Sequence, residues 1–326
     1  MTMSMTSGTE QSEHQHQGPL LIFQNPHSGD RDLQQVRDTI MEQIRVAGRK
    51  AEFLQFAPDT SLERNFASAF DQASDCNGCV VVAGGDGTIN AAASIAMQRG
   101  QAMGIIPSGT FNFVARSHGI PENTSRAVRL LLEERARPTR AGNINGRIFL
   151  VNSSIGSYAR LQQEREGFKR TIGRSRTVAS LAAVVSALRK SPSMQLSLHY
   201  RGERQTVKSS SLIMCNSRLQ LELIGVDTLP GDAADELACL CLSPVTVVTQ
   251  LAMIWKGWQR QVSQADEVQS FIFDELLIEV NNHRSRMLRV AVDGEIHRLA
   301  LPLNVKVSDK PLWLVRPAVD GEVASS

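Results

Sequence analysis

The chain has 326 residues, a formal net charge of +2 and 42% hydrophobic residues. That length suits roughly two domains, each with its own core. The near-neutral charge excludes the strong field of a nucleic-acid binder, and no apolar run approaches the roughly 20 residues that span a bilayer. Residues 1–17 are rich in Ser, Thr, Gln and His and lack an apolar centre. They are expected to be a disordered tail rather than a signal peptide.

From there the chain alternates. Strands are expected near 20–24, 51–56, 79–83 and 103–106, and helices near 31–47, 61–73, 88–99 and 122–135. In the first helix Leu33, Val36, Ile40 and Ile44 recur at helical spacing. The order predicts an N-terminal three-layer α/β domain over 18–138. The pattern changes near Arg137-Pro138-Thr139-Arg140. Over 139–310 short alternating runs dominate: 148–153, 195–200, 206–215, 237–242, 271–273, 276–280, 288–292 and 304–307. They predict a C-terminal antiparallel β-sandwich domain, with helices inserted near 157–190 and 245–263.

Three strand ends carry polar loops. Leu21-Ile22-Phe23-Gln24-Asn25-Pro26-His27-Ser28-Gly29 runs from strand to loop, with Ser28 or Asp30 placed to cap the next helix. In Val80-Val81-Val82-Ala83-Gly84-Gly85-Asp86-Gly87-Thr88-Ile89-Asn90 an apolar run stops at two glycines. Glycines let backbone pass close to a ligand and turn N–H groups inward. A helix expected from Thr88 adds the positive end of its dipole. Asp86 would repel a phosphate unless a cation or hydroxyl donor lay between, and nucleotide-bound magnesium supplies that cation. Taken alone, the loop reads equally as a ligand-free turn. Met103 to Arg116 is a third strand ending in such a loop, Pro107-Ser108-Gly109-Thr110-Phe111-Asn112. In an open parallel sheet ligands bind beyond the carboxyl ends of the strands, so the three loops would share one site.

Asn25-Pro26-x-Ser28-Gly29, Gly84-Gly85-Asp86-Gly87-Thr88-x-Asn90 and Gly104-x-x-Pro107-x-Gly109-Thr110-x-Asn112, in this order, resemble the diacylglycerol kinase catalytic domain family. That family includes bacterial soluble lipid kinases, diacylglycerol kinases, and sphingosine and ceramide kinases. The resemblance covers most of residues 19–316. It implies an ATP- and magnesium-dependent transfer of the γ-phosphate to a hydroxyl of a diacylglycerol-like lipid. It also implies a cytoplasmic enzyme, peripheral on the inner face of the membrane, with ATP and lipid as partners and a homodimer as an admissible state. Carried over position by position, Asn25, Ser28, Gly84, Gly85, Asp86, Gly87, Thr88, Asn90, Gly109, Thr110 and Asn112 are the expected nucleotide site. Asp86 would organise magnesium directly or through water. Phe113 departs from the pattern, standing where an acid is usual. Phe149 to Arg160, with Arg165-Glu166 after it, looks like a bacterial branch of the family.

In the β-rich part, Val292-Asp293-Gly294-Glu295 alone reads as a hairpin turn, for which Asp-Gly is a common signal. Its late position matches the family's Asp-Gly-Glu motif. The resemblance therefore implies Asp293 or Glu295 as the base for the lipid hydroxyl, across an interlobe cleft from Gly84–Asn90. It also implies that the run Leu312 to Arg316, within 311–318, returns to the first domain. The family's acid for a structural magnesium aligns with Ala234, so either Asp232 or Asp235 serves with a shifted loop or the structural metal is absent. Residues 158–190 combine a basic flank with an apolar stripe, Val178, Leu181, Ala182, Val185 and Leu188. The stripe reads as core, and the basic flank would face lipid. The five cysteines, with one C-x-x-C at Cys76 and Cys79, are expected to be reduced thiols. An NAD kinase-like or phosphofructokinase-like enzyme, and a nucleotide-binding pseudokinase, are the alternatives.

Overall fold

A computed structural model describes residues 18–25, 33–55, 57, 59–157, 193–216, 236–242, 268–281 and 285–318. The expected tail, Ser28, Asp30, Asp232, Ala234, Asp235, residues 158–190 and the helix near 245–263 lie outside them. The described residues of Met1–Gly85, Ile95–Thr139 and Leu312–Ser326 form one compact unit, and those of Asp86–Ser94 and Arg140–Pro311 a second.

The first unit is built on β1 (Leu20–Gln24), β2 (Ala51–Leu54), β3 (Cys79–Gly84), β4 (Ala102–Pro107), β5 (Ala136–Thr139) and β18 (Leu312–Val315). Their order in the sheet is β2-β1-β3-β4-β18-β5. All neighbours are parallel except β18 with β5. The apolar runs of β3 and β4 are buried throughout, as a parallel strand covered on both faces requires. Alternation decides which residues face which helix. Leu20 and Ile22 share a core with Ile40 and Ile44 of α1 (Leu33–Val46) and with Val128 and Leu131 of α5 (Thr124–Glu133). Phe23, of the other parity, packs against Phe66 of α2 (Leu62–Asp75), with ring centroids 4.5 Å apart and the rings tilted by 46°. Ser61 caps α2 by accepting from Arg64 N–H. The edge strand β5 contains Pro138, tolerated there because an edge leaves some amides unpaired.

The second unit holds two six-stranded antiparallel sheets. One runs β10 (Glu203–Ser209), β9 (Met194–Tyr200), β14 (Glu275–Asn281), β17 (Leu303–Val307), β6 (Gly142–Ile144), β7 (Arg147–Phe149). The other runs β13 (Val268–Phe273), β12 (Leu237–Leu242), β11 (Ser211–Cys215), β8 (Asn152–Gly156), β15 (Met287–Val292), β16 (Glu295–Ala300). Inward side chains of both sheets share one core, including Phe149, Leu196, Leu198, Met214, Cys239, Ile278, Val290 and Val305. This is a β-sandwich.

Two expected strands are each broken in two. The run 206–215 splits at Ser210, where the chain leaves the sheet of β10 for that of β11. The run 148–153 splits at Leu150 and Val151, whose N–H groups go to a carboxylate instead of a strand. Helix α3 (Asp86–Arg99) begins two residues before the expected Thr88. Among the described residues no helix is long and apolar enough to cross a membrane.

Candidate functional site

The ends of β1, β3 and β4 are tied by backbone. Asn25 N–H donates to Ala83 O at 3.1 Å and Ser108 N–H to Gly84 O at 3.0 Å. Beyond them Gly85 and Gly109 touch: a Cβ on Gly109 would lie 2.7 Å from Gly85 Cα. No side chain fits there, so glycine is needed for close approach rather than for a special φ. Asn112 Oδ1 accepts from Gly109 N–H at 2.9 Å and locks the loop from inside. Asn112 is buried and left-handed, φ 50°, a conformation Asn tolerates better than most residues. Its side-chain oxygen therefore shapes the loop from within. Thr110 is exposed on the same loop. Phe113 opens the short helix α4 (Phe113–Ser117) and stacks on Phe111, ring centroids 5.4 Å apart.

Gly85 is the N-cap of α3, so Asp86, Gly87 and Thr88 form the first helical turn rather than a free loop. The amides of a first turn have no acceptor within their own helix and lie at the positive end of its dipole. Asp86 is half-buried there and Thr88 is buried. Asp86–Ser94 belong to the second unit, and in that unit two groups of the Asp293–Glu295 turn come to them. Asn90 Nδ2 donates to Asp293 Oδ2 at 2.5 Å. A Cβ placed on Gly87 would be 3.6 Å from Glu295 Oε1.

The turn itself is a β-hairpin connection between β15 and β16. Asp293 has φ 46° and Gly294 φ 92°, the two positive values of a type I′ turn. The hairpin turn expected from Asp-Gly is thus observed, and Glu295, which follows it, lies beside Gly87. Burial pushes the Asp293 carboxyl up to about 6, while N–H donors from Leu150, Asn152 and Val151 and the Asn90 amide pull it down. Glu295 is exposed, with Oε2 3.7 Å from His297 Nε2. Burial, with Arg147 nearby, holds His297 below the usual imidazole range.

The described cysteines are free thiols. Burial pushes the Cys79 and Cys215 thiols up to about 12 and Cys239 well above the ordinary value. Those thiols stay protonated, and protonated thiols are poor nucleophiles and metal ligands. Cys76 is exposed.

Residues 19–144 match the diacylglycerol kinase catalytic domain. Among curated relatives, "Probable lipid kinase YegS-like" of Klebsiella pneumoniae is 28% identical over 146 residues, covering 43% of this chain and 45% of that protein. A protein of the same name from Pseudomonas aeruginosa is 42% identical over 81 residues, covering 24% of this chain and 26% of the relative. The aligned segments thus span less than half the length of these relatives. The fold likeness reaches further. The crystal structure of a diacylglycerol kinase from Bacillus anthracis str. Sterne superposes with a TM-score of 0.66 at 17% identity, over 92% of this chain and 97% of that one. A second structure from the same organism gives 0.69 at 20% identity with the same coverage. At such identity the likeness shows the two-part α/β and β-sandwich fold alone.

The motif series thus points to residues that the fold gathers in two groups. Asn25, Gly84, Gly85, Gly109, Thr110 and Asn112 lie at neighbouring strand ends of the first unit. Asp86, Gly87, Thr88, Asn90, Asp293 and Glu295 lie in the second. The sequence did not reveal the amides of Leu150, Val151 and Asn152. The only available signal was the position of the quoted Phe149 stretch, because backbone N–H groups leave no residue-type signature.

Proposed function

We propose that this protein is an ATP- and magnesium-dependent lipid kinase that transfers the γ-phosphate to a hydroxyl of a diacylglycerol-like lipid. The observation that supports this most is Glu295, an exposed carboxylate brought to the first turn of α3 from far along the chain. A kinase needs such a group beside its phosphate-binding turn, to accept the proton of the attacking hydroxyl.

Between the two acids, exposure favours Glu295. Both Asp293 oxygens already accept two donors each. Taking a proton would displace one of them. Glu295 keeps its carboxylate toward solvent, where an acceptor hydroxyl can reach it.

The nucleotide fits the residues present. The contact of Gly85 with Gly109 leaves a surface without side chains, and α3 turns its positive end to the same chain segment. Gly84, Gly85, Gly87 and Thr88 would offer backbone N–H groups to the phosphates. Asn25 and Thr110 would add hydrogen bonds from their side chains. Among the described residues no group of three or more metal-ligating side chains occurs. That suits magnesium, which is bound through one or two carboxylates plus phosphate oxygens rather than in a protein cage. Asp86 is the carboxylate that would hold it. When bound, the ion neutralises charge on the transferring phosphoryl group. Glu295 then holds the hydroxyl's proton as the oxygen attacks.

The test is a radiolabelled-ATP assay on mixed lipid extract, with NAD and sugar phosphates in parallel. Label should enter a chloroform-soluble product only with lipid, ATP and magnesium together. Label in NADP or a sugar phosphate would instead identify a small-molecule kinase, and ATP binding without transfer to any acceptor a pseudokinase.

A further inference from the structure

Asp293 holds together three pieces of chain that are distant in sequence. Its Oδ1 accepts from Val151 N–H at 2.9 Å and from Asn152 N–H at 2.8 Å. Its Oδ2 accepts from Leu150 N–H at 2.7 Å and from Asn90 Nδ2 at 2.5 Å. An ionised carboxylate offers about four acceptor sites, so this set fills it. The three consecutive amides form a nest, a concavity that binds anions. Asp293 N–H also donates to Asn152 O at 2.9 Å, which fixes the turn to the same corner. Leu150, Val151 and Asn152 are buried at 1%, 4% and 8% exposure, so these bonds are sheltered from water.

The fourth donor is different in kind. Asn90 lies on α3 one turn past Asp86, on the helix whose first turn faces Glu295. Glu295 follows Asp293 by two residues in a type I′ turn, which has little freedom. Holding Asn90 against Asp293 therefore fixes the distance between Gly87 and Glu295.

We infer that Asn90 and Asp293 are positioning residues. Together they clasp the start of α3 to the hairpin, set the Glu295 carboxylate, and touch neither nucleotide nor lipid. This rests on the kinase reading for the role of Glu295, but the clasp itself has a readout that needs no turnover. Asn90 as a phosphate ligand would have to leave Asp293, stripping a buried carboxylate of a donor. Asp293 as a base would do the same.

The full-length protein with Asn90→Ala tests it by three measurements: hydrogen exchange, ATP affinity by calorimetry and steady-state kinetics. Exchange in the segment 86–94 should speed up about tenfold, while the amides of 150–152 stay protected because Asp293 still holds them. ATP affinity should stay within about twofold, and kcat should fall about 10- to 100-fold, the scale of a misplaced catalytic group. A melting temperature close to wild type separates this from general damage. Asp293→Asn should expose both segments to exchange. Unchanged exchange at 86–94 would overturn the clasp, and so would a loss that falls on ATP affinity with kcat kept. If the wild-type protein transfers no phosphate to any acceptor, the kinase reading fails by itself, and the exchange result still decides the clasp.

Discussion

The glycine loops of the parallel sheet and the Asp293–Glu295 hairpin hold their groups by opposite means. At the strand ends the work is done by backbone. Gly85 presses on Gly109, Ser108 bonds to Gly84, and Asn112, whose side chain locks the loop, is only three residues away. At the hairpin a side chain does it, with partners 203 and 143 residues distant. The two halves are therefore vulnerable to different changes. The loops should fail when atoms are added, because there is no room. The hairpin should fail when a charge or a donor is changed at constant volume.

The largest effect is expected of Asp86→Asn, which removes a charge at the first turn of α3, in the same unit as the hairpin. Activity should drop by about 10³-fold or more, several kcal/mol of lost charge organisation, in a protein with normal melting. Lipid phosphorylation at the wild-type rate would remove Asp86 from the site.

Adding one methyl group by Gly109→Ala comes next. Its Cβ would meet Gly85 Cα at 2.7 Å and Asn112 Oδ1 at 3.1 Å, so backbone must move. Overpacking of this kind costs about 1–3 kcal/mol. Denaturant melts should show that loss together with weakened ATP binding. Alanine tolerated with wild-type stability and affinity would mean that the loops do not need close contact.

The hairpin half can be probed by pH alone. The folded Asp293 carboxyl is raised from 3.8 to about 6, so between those values the native state binds more protons than the unfolded one. Its contribution to stability is therefore complete below about pH 4 and is lost as pH rises through 6. Activity should run the other way. A protonated Asp293 cannot accept all four donors, so kcat should fall as pH drops below about 6 while this group's share of stability grows. Asp293→Asn should flatten both trends. A pH profile of Asp293→Asn that keeps the wild-type inflection would assign it to another group.

The smallest effect belongs to a control remote from both halves. Ser61→Ala removes the cap of α2 and should cost about 1 kcal/mol in a melt, with kcat and ATP affinity unchanged.

Legibility in the sequence follows the same division. The parallel strands could be read because β3 and β4 are uninterrupted apolar runs, and α1 because Leu33, Val36, Ile40 and Ile44 keep helical spacing. The start of α3 was missed by two residues, since a helix capped by Gly85 gives no side-chain signal. The strand β16 was missed because Glu-Ile-His-Arg-Leu-Ala carries the charges of a sheet edge rather than an apolar face. The break between β7 and β8 could not be read at all. Its cause is a carboxylate more than a hundred residues later, and no local propensity encodes that. The candidate acids were legible as a pair, whereas the choice between them depends on which of them the fold leaves exposed.

The role proposed for Glu295 is to take the proton in a phosphoryl transfer from ATP to lipid. The most direct measurement is single-turnover transfer from magnesium-ATP to a diacylglycerol acceptor by wild type and Glu295→Gln, with ATP affinity determined for both. The predicted result is a rate about 10²- to 10⁴-fold lower in the variant, with ATP binding kept. Transfer by Glu295→Gln at the wild-type rate would contradict it.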